Sequence, residues 1–110
     1  MDVAALAASD AWTAGLRWIE RGYHWEAHEV LEPVWMALPP ASAEALAVRG
    51  AIQLANAALK VRMGRPRAAR RLLALARGLL AEAEARGADP RLRPPARLIS
   101  YVVTNMRDDA

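Results

Sequence analysis

The chain has 110 residues with 15 basic and 12 acidic side chains, a net charge of +3 and no cysteine. That length supports one helical domain over residues 1–110, and the missing thiols exclude both a disulfide framework and a thiolate zinc site. So mild a charge, without a dense basic stripe interleaved with aromatics, argues against nucleic acid as the partner, and no uncharged run approaches the ~18 residues of a membrane span.

Ala, Leu and Arg dominate, all good helix formers, and strand signals are nearly missing, so the expected class is all-α: a compact single-domain bundle of about five helices. The 14 Leu, 7 Val, 3 Ile, 4 Met, 4 Trp and 2 Tyr suffice for one core. Residues 1–9 are apolar but carry Asp2 and no basic region, which argues against a secretory signal and for a cytoplasmic location without a membrane partner. The first helix is expected over residues 10–21, with Trp12, Leu16, Ile19 and Tyr23 forming its apolar stripe and Gly22 stopping it. The second covers residues 24–37 and is ended by Pro39-Pro40. The third runs from a Ser42 N-cap to about residue 63, before Gly64. Pro66 opens the fourth, which runs to about residue 86 with Leu72, Leu75, Ala76, Leu79, Leu80 and Ala83 on one face. Gly87 closes it. After a loop holding Asp89-Pro90 and Pro94-Pro95, a last helix over residues 96–106 carries Leu98, Ile99, Val102, Val103 and Met106.

The second helix breaks the apolar pattern. His24, His28 and Glu32 are each one turn apart and share a face with Leu31 and Trp35, while Glu26, Glu29 and Pro33 lie on the flank. A proline inside a helix deletes the N–H that would reach the Glu29 carbonyl, at roughly 3 kcal/mol, so the helix either kinks there or a new turn starts. On the third helix Arg49, Gln53, Asn56 and Lys60 form one polar stripe in an otherwise apolar segment. Gln53 and Asn56 therefore need side-chain partners, and the His and Glu face of the second helix is the best set on offer. Tyr101, Thr104 and Asn105 are further candidates.

These spacings give a candidate pocket made of Glu26, His28, Glu29, Glu32, Gln53 and Asn56. In one reading His28 acts as acid or base, the carboxylates flank it, and the amides orient a small molecule. In the other, the same groups are a satisfied polar network that fixes helix register in a non-catalytic interaction module, such as a homodimer. No nucleophile and no cofactor fingerprint accompanies them, so no cofactor is expected. Metal is disfavoured as well, because the helix reads His28-Glu29-Val30-Leu31-Glu32 where a zinc protease helix would place a second His.

Between Lys60 and Arg77 there are seven bases and no acid. Arg crowds the start of the fourth helix, against its dipole, while Glu82 and Glu84 sit near its end. Free N–H groups at that start make Arg65, Arg67 and Arg70 candidates for holding an anion; the plainer account is a solvated arginine face.

The stretch Arg21-Gly22-Tyr23-His24-Trp25-Glu26-Ala27-His28-Glu29-Val30-Leu31-Glu32-Pro33-Val34-Trp35 resembles the family of small helical proteins known as domain of unknown function 309. The likeness continues through Gly50-Ala51-Ile52-Gln53-Leu54-Ala55-Asn56-Ala57 and Met63-Gly64-Arg65-Pro66, covering about residues 11–85. It implies a compact bundle of about five helices and an intracellular location, without a named activity. Glu26, His28, Glu29, Glu32, Trp35 and Gln53 match the family's positions, whereas Ala51 and Asn56 depart from them.

Overall fold

Serine, glycine and proline set the boundaries in the computed structural model, which describes residues 9–106. The N-terminal stretch on which the secretory expectation rests lies outside the described residues, apart from Ser9. Helix α1 spans Asp10–Glu20, with the Ser9 side chain accepting from the Trp12 N–H, and α2 spans His24–Met36. Helix α3 spans Ala43–Arg62 behind Ser42, whose hydroxyl accepts from the Ala45 N–H at 3.1 Å. Helix α4 spans Pro66–Ala85, with Pro66 in the first turn where its missing N–H costs nothing. Helix α5 spans Ala96–Asn105. The described residues hold no strand, and the class is all-α.

The centre of the bundle is α3. Ten of its residues are buried, six of them alanines (Ala45, Ala47, Ala51, Ala55, Ala57 and Ala58), and small side chains let neighbouring helices approach on several sides at once. Gly50 shows how close: a Cβ there would meet Leu80 Cδ2 at 2.7 Å and Cγ at 2.8 Å. Gly15 plays the same part between α1 and α2, where Leu31 Cγ would lie 2.6 Å from its Cβ. Trp12, Ile19, Leu31, Val48, Leu54, Leu98 and Val102 fill the single core that all five helices share.

Two sequence expectations shift. On α4 the buried line is Ala69, Leu73, Ala76, Leu80 and Ala83, so the apolar face is rotated from the expected one and Leu75 points outward. The proline-rich loop also contributes to the core. Asp89 caps a 3-10 turn, Pro90–Leu92, and Leu92 is fully buried. The indole N–H of Trp12 donates to the Arg91 carbonyl at 2.8 Å, tying α1 to this loop. Arg93 then returns to pair with Glu84 at 2.9 Å, which gives the unfavourably placed acid at the end of α4 a partner. Under the loop lies a small, partly open cavity of about 140 Å³, with Ala47, Leu80, Ala83, Ala88 and Pro90 as its apolar wall and Glu84, Asp89 and Arg93 around it.

Candidate functional site

Pro33 neither ends α2 nor starts a new helix; α2 runs through it from His24 to Met36. Both Pro33 and Glu29 face solvent, so the carbonyl that loses its N–H donor lies where water reaches it. The helix therefore carries its polar face past the proline without interruption.

That face meets α3 in an antiparallel pair. His28, Glu32 and Trp35 from α2, with Arg49, Ile52 and Gln53 from α3, line an open depression of about 160 Å³. His28 Nε2 stands 3.2 Å from Glu32 Oε2, and the two side chains are 41% and 50% exposed. Across from them, Gln53 Oε1 accepts from Asn56 Nδ2 at 3.2 Å. The polar groups of each helix are thus paired along their own helix, and the two sets face one another over the depression instead of closing into a network. Arg49 is exposed and makes no ion pair or hydrogen bond with any described residue.

Of the expected pocket residues, His28, Glu32 and Gln53 line the depression. Asn56 supports it from behind through Gln53, Glu29 points outward, and Glu26 lies instead beside His24. Asn105 Nδ2 donates within α5 to the Tyr101 backbone carbonyl at 2.7 Å, and the Tyr101 side chain packs half-buried against the core. Arg65 and Arg67 stand exposed at the start of α4 with Arg70 one turn on, away from this site. Trp35, Arg49 and Ile52 also line the depression without belonging to the expected set. Arg49 sits one turn before Gln53 on the polar stripe, which was the available signal.

His24 behaves differently from its neighbour one turn on. It is only 4% exposed, and neither ring nitrogen has a hydrogen-bond partner among the described residues. Burial, seconded by the Arg62 guanidinium, holds its pKa below the usual imidazole value, while Glu26 opposes the shift. Arg62 itself donates to the Gly22 carbonyl at 3.1 Å, in the α1–α2 turn where Gly22 has φ +82°.

Beyond Trp35 the same interhelical seam turns apolar. Trp35, Met36, Leu38, Pro40 and Ala45 line a groove of about 260 Å³ next to the α2–α3 turn. Among the described residues no group of three or more His, Cys, Asp or Glu side chains is placed to hold a metal ion. No helix among them is long and apolar enough to cross a membrane.

Fold and site together define a small α-helical bundle with an open, mixed-charge seam between its second and third helices. The model of the family "Domain of unknown function (DUF309)" matches residues 12–72, more than half of the chain, and the chain belongs to that family. All six residues of the depression fall within the matched region. No curated protein and no solved structure matches the chain.

Proposed function

We propose that the chain binds a small carboxylate-bearing molecule in the depression between α2 and α3. The observation that carries this reading is Arg49: a guanidinium on the rim of the site that makes no ion pair with any described residue. Its planar fork of N–H groups matches a carboxylate in bidentate fashion. Gln53 adds to the donor set, because its carbonyl oxygen is taken by Asn56 and its NH₂ is left to donate. The His28–Glu32 pair bounds the other side, with Nε2 3.2 Å from Oε2. Titration of ¹⁵N-labelled protein with butanoate should give saturable shifts at Arg49, Gln53 and the His28 ring. Arg49→Gln should weaken that binding by about tenfold. Unchanged spectra would reject the reading.

A second reading is favoured by a separate observation. Tyr23, Trp25 and Met36 are 51%, 65% and 70% exposed, and Trp25 and Met36 share one side of α2 with Glu29 and Glu32, along the rim of the seam. Exposed Trp, Tyr and Met are the residue types that anchor protein interfaces, so this face fits a homodimer or another protein contact. Molar mass by light scattering should then rise with concentration and fall back in Trp25→Ser; a constant monomer mass would remove the dimer.

A further inference from the structure

We infer that the ligand is an amphipathic monocarboxylate, carrying an alkyl chain or ring behind its acid group; this rests on the carboxylate reading of the depression. The argument is the continuity of the seam. On α2, His28, Glu32, Trp35 and Met36 recur at i, i+4, i+7 and i+8. On α3, Ala45, Arg49, Ile52 and Gln53 have the same spacing. Two such stripes running antiparallel make one groove, and its chemistry changes along its length. His28, Glu32, Arg49 and Gln53 make one end polar, while Met36, Leu38, Pro40 and Ala45 make the other apolar. Trp35 belongs to both, so no wall separates them.

The dimensions set the class of ligand. Ala45 precedes Arg49 by one turn, about 6 Å along the axis, which is the length of a short alkyl chain or one ring. A carboxylate on Arg49 would direct that chain past Trp35 toward Pro40 and the buried Leu38 side chain. None of the residues lining the apolar arm is charged or carries a polar side-chain atom other than the Trp35 indole N–H. The arm therefore rewards methylene groups and offers nothing to a second charge.

The test is a chain-length series of straight-chain carboxylates, butanoate to octanoate, titrated by NMR and calorimetry below their micelle concentrations. A methylene fully buried gains about fourfold in affinity, so a half-covered groove should give about twofold per methylene and about sixteenfold over the four methylenes of the series. Shifts should spread from Arg49 and Gln53 to Ala45 and Met36 as the chain grows. Met36→Ser, at a side chain that is mostly exposed and so dispensable to the core, should weaken octanoate by about threefold and leave butanoate unchanged. Octylamine should bind at least about tenfold more weakly than octanoate. Affinity that does not depend on chain length overturns the inference while the carboxylate site stands, whereas octylamine binding as well as octanoate overturns both, because the acid group would then not be what the site recognises. If neither butanoate nor octanoate moves the Arg49 and Gln53 signals, the site reading itself falls.

Discussion

Replacing His24 by Met should stabilise the protein, and by more at acid pH than at neutral. The imidazole is almost fully enclosed, and neither nitrogen is partnered by a described residue. Leaving a buried polar group without a partner costs about 1–3 kcal/mol. Methionine fills irregular space of similar size without a polar atom to satisfy, so His24→Met should recover about that amount at pH 7.5. Acidification adds a second effect. The folded-state pKa of His24 lies below 6.5, through burial first and Arg62 from α3 second, against Glu26 on its own helix. Between that lowered pKa and 6.5 the unfolded chain binds a proton that the folded chain refuses, and stability is lost as pH falls through this window at up to about 1.4 kcal/mol per pH unit. Above 6.5 the term is fully present; below the folded pKa the loss levels off.

The assay is urea denaturation of both proteins at pH 7.5 and pH 5.5. Every other titrating group is common to the two chains, so their difference isolates His24. The variant should be the more stable at pH 7.5 and its margin should widen at pH 5.5. A variant less stable than the parent, or a margin that does not change with pH, would refute the account of a neutral, unpartnered, buried imidazole.

Two other substitutions test the surroundings. Glu32→Gln should leave stability within about 0.5 kcal/mol in chemical denaturation, since the His28–Glu32 pair is half exposed and solvent screens such pairs; a loss of 2 kcal/mol or more would mean that the pair holds the fold together. Ala88→Leu should stabilise by about 0.5–2 kcal/mol, because Ala88 lies on the wall of a partly open cavity of about 140 Å³ whose aliphatic lining (Ala47, Leu80, Ala83) a larger apolar side chain would cover. A lower melting temperature would show that the loop cannot accommodate the side chain.

Helix positions were legible because they are punctuated locally. Ser42 caps α3 with its own hydroxyl, and Met63-Gly64-Arg65-Pro66 both ends one helix and starts the next, at a glycine with φ +70°. Packing direction was less so. The expected face of α4 holds for Ala76, Leu80 and Ala83, but Leu73 is buried in place of the expected Leu72 and Leu75, and Gly50 admitting Leu80 is a contact between distant segments that fixes this rotation. Leu92 could not be read as core, since an isolated leucine among prolines has no periodicity and its burial comes from contacts with distant segments, such as the Trp12 bond to the neighbouring Arg91 carbonyl. Pro33 raised a real question with a simple physical answer: its face of α2 is wet.

The site shows the same division. A helical wheel places His28, Glu32 and Trp35 on adjoining lines of α2, but it cannot say which neighbour they meet or at what height. Asn56 and Gln53 lie three residues apart, so they satisfy each other within α3, and the expected demand for partners on α2 never arises. That local pairing leaves the seam between α2 and α3 open.

Helix α3 also separates the two cavities of different character. Ala47 lies on the partly open cavity under the Pro90–Leu92 turn, whereas Arg49, two residues later and about 200° around the helix, lies on the seam with α2. Sites on opposite sides of one helix, with no shared lining residue, should respond independently. Ala88→Leu should therefore raise stability without altering carboxylate binding at the seam, and Arg49→Gln should do the reverse. A double variant whose stability and affinity equal the sum of the single effects would support this separation. Strong non-additivity would mean that α3 shifts as a body when either side is filled, and that its alanine-lined contacts with α2 and α4 slide together.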